Sequence, residues 1–284
     1  MTPTIILSTY NQPRWLALVL EGFAYQTTTD FELIVADDGS GEETARVITD
    51  MQQRAPYQFR HVWHPDNGFQ KCAIMNRALA EARGSYVIFT DGDCIPTPTF
   101  VERHLALARP GRFLSGGYVK LPLSVSNAIT PEAVSKALAT DPRWLREQGM
   151  PRTSALVKLS TSMVVGRLLD AATTTRPTWN GHNASTWKEH LLAINGFDER
   201  LVYGGEDREL GERLVHLGIS GMQVRYRIGC VHLDHPRGYV SREGIEANDA
   251  IRKETRERRS ISTPFSSLAG STGPNSPSPP SPAS

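Results

Sequence analysis

The segment FTDGDCIP, residues 89–96, closes an apolar run with Asp91 and Asp93 on either side of one glycine. Two carboxylates brought that close repel each other unless a cation or a proton relieves them. The pattern also suits a plain turn, because Asp and Gly are turn formers. A second acidic pair, Glu206 and Asp207, stands in YGGED at the head of a helical stretch. Acids at a helix start complement its dipole, which is a role in stability alone, while the preceding Gly204-Gly205 lets backbone approach a ligand closely. CVHLDHP adds His232 and His235, and a lone histidine is more often structural than a ligand.

These residues need a scaffold, and the pattern along the chain supplies one. TIILS, FELIVADDGS, YQFRHVWH and YVIFTDGD read as strands, separated by the helical stretches PRWLALVLEGFAYQ, GEETARVITDMQQR and QKCAIMNRALAEARG. Alternation of this kind implies a mainly parallel sheet with helices on both faces, whose ligands sit beyond the carboxyl ends of the strands. STYN, ADDGS and DGD then converge on one edge. Neither a GxGxxG fingerprint nor a P-loop is present. From about residue 110 the pattern changes: FLSGGYVKLP reads as a strand, residues 131–170 as helices broken by prolines, STWKEHLLAI and EDRELGERLVHLG as helices, and MQVRYRIG as a strand. The end, from SISTPF onward, is rich in Ser, Pro and Gly and reads as a disordered tail. Before it, IRKETRERRS reads as a basic helix with a solvated face, anionic-lipid contact being the alternative.

Composition narrows the class further. A formal net charge of +1 over 284 residues gives no electrostatic footprint for nucleic acid. Three widely spaced cysteines, Cys72, Cys94 and Cys230, read as reduced thiols of a cytoplasmic protein rather than a disulfide or zinc framework. The opening MTPTIILSTYNQPRW lacks the features of a signal peptide, and no run approaches the ~20 apolar residues of a membrane helix.

Three segments together resemble family 2 glycosyltransferases of the GT-A fold: ILSTYNQPRWLALVLEGFAYQTTTDFELIVADDGS, DNGFQKCAIMNRALAEARGSYVIFTDGDCIP and GHNASTWKEHLLAINGFDERLVYGGEDRELGERL. The third resembles the galactosyltransferase-like branch. The resemblance implies a Rossmann-like, mainly parallel sheet in a nucleotide-sugar-binding lobe over residues 1–118. A smaller, mostly helical acceptor and catalytic lobe would follow over 119–248, and then the basic helix and tail over 249–284. It implies an inverting, metal-dependent transfer of a hexose or N-acetylhexosamine from a UDP-sugar to a hydroxyl of a glycan or glycolipid.

Residue by residue, the resemblance places Asp93 on the metal, Asp91 on the metal or the ribose, and Asp38 on the N–H of uracil, with Asp37 as its confusable neighbour. Ser8 and Tyr10 would line the base pocket, and Lys71 and Asn76 would approach the donor. Asn183, Trp187 and Gly205 would line the sugar pocket. Asp207 resembles the catalytic base and Glu206 a holder of a hydroxyl. His232 matches the metal-binding histidine best and His235 second. An imidazole with carboxylate and phosphate oxygens suits Mn²⁺, with Mg²⁺ the alternative. Partners would be the donor and acceptor, without nucleic acid, and the basic helix would allow peripheral contact with the inner face of a membrane. Two rival readings differ in class. DGDCI resembles the DxDx[TV] nucleophile of haloacid-dehalogenase phosphatases, but it ends the fourth strand rather than the first, and Ile95 stands at the last position. A non-catalytic sugar-nucleotide-binding protein is the other.

Overall fold

A computed structural model describes residues 2–159, 162–235 and 241–268. The first half alternates as its apolar patterning requires: β1 (Thr4–Thr9), α1 (Pro13–Ala24), β2 (Glu32–Asp37), α2 (Glu42–Arg54), β3 (Gln58–Trp63), α3 (Lys71–Glu81) and β4 (Tyr86–Asp91). There follow β5 (Cys94–Pro96), α4 (Phe100–Leu107), β6 (Arg112–Ser115) and β7 (Gly117–Lys120). Short helices come next: α5 (Leu123–Ala128), α6 (Pro131–Ser135), α7 (Pro142–Glu147) and α8 (Met163–Ala172). The chain continues with β8 (Ala184–Trp187), α9 (Lys188–Ala193), α10 (Glu206–His216), β9 (Ser220–Gln223), β10 (Gly229–His232) and α11 (Arg242–Glu257).

Seven strands form one sheet in the order β3-β2-β1-β4-β8-β6-β9, in which β8 alone runs antiparallel to its neighbours. Residues alternate across each central strand, so two apolar layers form from one sequence. Ile5, Leu7, Leu33, Val35 and Ile88 face α1 through Leu16, Val19 and Phe23. Ile6, Ile34, Val87 and Phe89 face α3 and α10 through Met75, Leu79, Leu210 and Leu214. A three-stranded sheet, β5-β10-β7, stands beside the carboxyl edge. The large sheet runs across residue 118, because β8 and β9 come from the second half of the chain.

Three expected elements differ. STW is the end of strand β8 and the helix starts only at Lys188, because the β-branched and aromatic residues pair with β4. Within MQVRYRIG, the strand stops at Gln223 and a turn leads to β10. The expected disordered tail begins too early. Over residues 260–268 the chain docks on the second half: Thr263 Oγ1 donates to Asp198 Oδ2 at 2.7 Å, Glu199 N donates to the Phe265 carbonyl at 2.8 Å, and Arg200 lies over the Phe265 ring. Leu268 is buried there. The rest of that tail lies outside the described residues. The expected basic stretch 251–260 forms the end of α11, whose earlier turns are acidic; the helix packs against α10, with Arg252 and Arg256 both paired to Glu212.

Among the described residues no helix is long and apolar enough to cross a membrane. All three cysteines are free and buried.

Ending the chain at Ser260 would remove one buried leucine and several hydrogen bonds, each worth about 1 kcal/mol. With about 1.5–3 kcal/mol for the leucine, the gross loss is roughly 4–6 kcal/mol, offset in part by the backbone entropy that the undocked segment no longer gives up, and stability should fall by the difference. Urea titration reads this, and an unchanged midpoint would mean that the docked segment adds nothing.

Candidate active site

Parallel pairing puts the chemistry at one edge. Thr9 aligns with Asp37, and Ser8 with Asp91, so the ends of β1, β2 and β4 lie side by side. Beyond them opens a cleft of about 1000 Å³. Ser8, Tyr10, Asp38, Lys71, Asp91 and Asp93 line it from the first half, and His182, Gly205, Glu206, Asp207, His232 and His235 from the second.

At one end the two adjacent aspartates of ADDGS separate cleanly. Asp37 is fully buried, accepting from Ser40 N at 2.8 Å and facing His61 at 3.0 Å, so it holds the turn. Asp38 points into the cleft. His64 Nε2 donates to it at 2.7 Å and Gln70 N at 3.0 Å, which fixes the carboxylate while leaving lone pairs for a ligand. Tyr10 presents a ring 40% exposed, its hydroxyl donating to Asp66 at 2.9 Å. His64 directly follows β3 at the same edge, and applying the strand-end rule to the third strand would have found it.

The two acids of DGD also take different surroundings. Asp91 accepts from Ser8 Oγ at 2.6 Å and from Lys71 Nζ at 2.9 Å. Burial pushes the Asp91 carboxyl up, but Lys71 and Ser8 outweigh it and hold the group well below its ordinary range. Burial likewise works against the Lys71 ammonium, yet Asp91, Asp207 and Glu206 together raise it well above its usual value. Lys71 is therefore a permanent cation inside a ring of carboxylates.

Asp93 faces the other way. Asp93, Cys94 and His232 each place a ligand atom within 4.8 Å of the others, and Asp91 is outside that cluster. His235 Nε2 donates to Asp93 Oδ2 at 2.8 Å, so its proton is committed. His232 Nδ1 sits 2.8 Å from the Leu233 carbonyl, to which it donates, and its Nε2 lies 3.5 Å from Asp93 Oδ2. An imidazole nitrogen and a carboxylate this close are a donor set that fits a cation, with Leu233 orienting the ring as an outer partner does. The residues thus fit a divalent metal of nitrogen- and oxygen-binding character. Burial keeps the Cys94 thiol protonated, and it donates to Asp93 Oδ1 at 3.3 Å.

YGGED divides its labour too. Gly204 and Gly205 both take positive φ, 102° and 109°, where a side chain would be strained. Glu206 folds back to accept from Gly204 N at 2.9 Å, so it secures the loop. Asp207 instead enters the cleft, and its buried Oδ1 has no hydrogen-bond partner. Burial first, then Glu206 and Asp91, push its pKa to about 7 despite Lys71 nearby. Gly181 makes the room: a Cβ there would stand 2.7 Å from both Asp207 oxygens. Beside it, His182 stays neutral, burial lowering its pKa to about 4. Gly181 and His182 escaped the sequence reading because NGHN matches no spacing rule.

Three expected ligands lie elsewhere. Asn76 is fully buried and joins α3 to the second half, donating to the Phe197 carbonyl at 2.9 Å and accepting from Phe197 N at 2.8 Å. Five residues from Lys71 is about 140° around a helix, which turns it away from the cleft. Asn183 is fully buried and bonds the carbonyls of Gly117 and Ile228 at 2.8 and 3.1 Å, tying the small sheet to the large one. Trp187 pairs with Tyr86 at the start of β4, because antiparallel β8 carries its own end to the amino edge. Its indole donates to the Arg109 carbonyl at 3.2 Å.

Comparison with known proteins accounts for both halves. Residues 4–120 match the profile of glycosyl transferase family 2, and residues 174–236 match one described as the N-terminal domain of galactosyltransferase. Chondroitin synthase of Escherichia coli is 27% identical over 239 residues, covering 76% of this chain and 32% of its own length. The chain therefore spans about a third of that relative. Among solved structures, the mannosyltransferase PcManGT of Pyrobaculum calidifontis, in complex with GDP-Man and Mn²⁺, superposes with a TM-score of 0.57 at 20% identity, covering 90% of this chain and 61% of its own. TarS (residues 1–349) of S. aureus in complex with UDP-GlcNAc gives 0.57 at 18% identity, with coverage of 89% and 65%. These likenesses show a GT-A glycosyltransferase fold.

The buried Asp207 carboxyl generates a pH test. From its ordinary 3.8 up to about 7 the folded chain keeps a proton that the unfolded chain releases. Stability without added ligands should therefore fall as pH rises through that window. Asp207→Asn should flatten this slope in urea titrations across the range; an unchanged slope would place the proton elsewhere.

Proposed function

The chain belongs to glycosyl transferase family 2, and from that premise we propose that it moves a hexose or N-acetylhexosamine from a UDP-sugar to a hydroxyl of a glycan or glycolipid, with inversion. The carrying observation is the partnerless, buried Asp207 Oδ1 in the same cleft as the Asp91–Lys71 pair and the Asp93–His232 cluster. Residues 1–118 serve the donor and 119–248 the acceptor and the base. Free cysteines favour a cytoplasmic setting, and residues 251–259, with five basic against two acidic side chains, favour contact with the inner face of a membrane.

Asp38 accepts the N–H of uracil, positioned by His64 and Gln70, while Tyr10 offers its ring face to the base. Ser8 and Lys71 hold Asp91 ionised at the ribose and phosphate side. A divalent ion, Mn²⁺ rather than Mg²⁺ on the imidazole it would meet, would be held by Asp93 and His232 and would neutralise the departing diphosphate. Asp207 takes the proton of the acceptor hydroxyl as that oxygen attacks the anomeric carbon. The bond from that carbon to the diphosphate oxygen breaks, its electron pair leaving with UDP. A pKa of about 7 suits a base working near neutrality. Lys71 stabilises the ionised base between turnovers, and Glu206 holds its loop.

Asp207→Asn should lower kcat by about 10²–10⁴-fold while UDP-sugar affinity changes little. If the acid only serves the helix, kcat will stay nearly intact. EDTA should abolish turnover and Mn²⁺ restore it, with Asp93→Asn weakening only the metal-dependent part of UDP binding. Calorimetry should find UDP preferred over ADP and GDP, and equal affinities would remove the uracil assignment. NMR of the product should give the inverted anomer; retention would refute the single-displacement mechanism.

A further inference from the structure

The far end of the cleft carries cations that the reaction above does not use. Arg176 and Arg225 both line it, beyond the end of β9. Thr175, the chain neighbour of Arg176, accepts from Arg225 Nη1 at 2.5 Å through its hydroxyl and from Gln223 Nε2 at 3.1 Å through its carbonyl. Lys158 joins from the side, its Nζ donating to the Tyr118 carbonyl at 3.1 Å and lying 5.7 Å from that ring, which also lines the cleft. Burial lowers the Lys158 pKa and Arg225 lowers it further, as expected of like charges held together.

Other cations of this region are neutralised. Arg227 pairs with Asp170 at 2.7 Å, Lys120 with Asp234 at 3.2 Å and Lys71 with Asp91 at 2.9 Å. Among the described residues no carboxylate lies within ion-pair distance of Arg176, Arg225 or Lys158. Arg176 and Arg225 on the wall of the cleft, with Lys158 against Tyr118 at their side and no described carboxylate in ion-pair distance, form a site for an anion from outside.

Position says which substrate brings it. In the sheet order, β9 lies three places beyond β4 and five beyond β2. At about 4.8 Å per strand, that is roughly 14 Å from the DGD end and 24 Å from Asp38. The donor diphosphate belongs with Asp91 and Asp93, which leaves the two arginines at the end of β9 to another group; Lys158 stands nearer, against the Tyr118 ring that is itself 5.8 Å from His232. We propose that the acceptor is an anionic saccharide, whose carboxylate or phosphate is received by Arg176 and Arg225 at the β9 end of the cleft, with Lys158 adding its charge from behind Tyr118. The assignment rests on the glycosyltransferase reading, with Asp207 between donor and acceptor. Guanidinium groups suit it, since their forked donors match carboxylate and phosphate oxygens.

The test is calorimetry in saturating UDP with three probes: a glucuronate-terminated tetrasaccharide, a glycerol-phosphate oligomer and a neutral gluco-tetrasaccharide. One anionic probe should bind at least about tenfold more tightly than the neutral one, a modest return for two charge-assisted contacts. Which anion wins identifies carboxylate or phosphate as the source. The preference should shrink in 0.5 M salt, about where screening reaches a few ångströms, and in the Arg176→Gln/Arg225→Gln double variant. Arg176→Lys/Arg225→Lys should keep part of it. The salt arm uses the unaltered protein, so it stands even if a variant misfolds. Equal or better neutral binding, no anionic binding, or a preference indifferent to salt would overturn the proposal. UDP binding is measured first: its absence sinks the glycosyltransferase reading, whereas UDP binding without anion preference sinks this inference alone.

Discussion

The cleft depends on one partly buried cation. Lys71 sits at the start of α3 with Asp91 at 2.9 Å and with Asp207 and Glu206 close enough to raise its pKa. Three carboxylates in one partly desolvated site would otherwise drive each other to protonate, as Asp207 already begins to do. Truncating Lys71 would leave those acids without a counter-charge, the costly way to break a buried pair. Lys71 therefore links the two halves of the chain electrostatically, since Asp91 comes from the first and Asp207 from the second.

A mechanical link works alongside it. β8 enters the sheet antiparallel between β4 and β6, so the chain can place NGHN at the carboxyl edge just before the strand begins. Asn183 anchors that entry by bonding the Gly117 and Ile228 carbonyls, and Gly181, two residues earlier, leaves the volume that the Asp207 carboxylate fills. Asn76 closes the opposite side by joining α3 to Phe197. Polar residues that look like ligands are here the joints that hold ligand-binding residues in register. A buried amide with its donors and acceptor satisfied makes such a joint rigid, because any shift would strand a polar group.

The chain's own sequence determined the sheet, the edge and the acids. Period-two apolar runs bounded by helical stretches leave few topologies for β1 to β4, and parallel strands must end together, so Ser8, Asp38, Asp91 and Asp93 met at one edge by local rules alone. Gly204-Gly205 likewise announced a loop that only glycine tolerates, with two acids behind it. What tertiary structure decided was which way each side chain faces. Asp37 and Asp38, Glu206 and Asp207, and Asp91 and Asp93 are near neighbours of equal chemistry, and only packing against β3, the cleft or β10 gives each its separate partner. Asn76, Asn183 and Trp187 went elsewhere for the same reason: a residue's face depends on the direction of its strand and its turn on the helix, set by neighbours far away in sequence. The docked segment 260–268 and the cations at β9 share that origin, since composition describes a stretch of chain while contact depends on what folds against it.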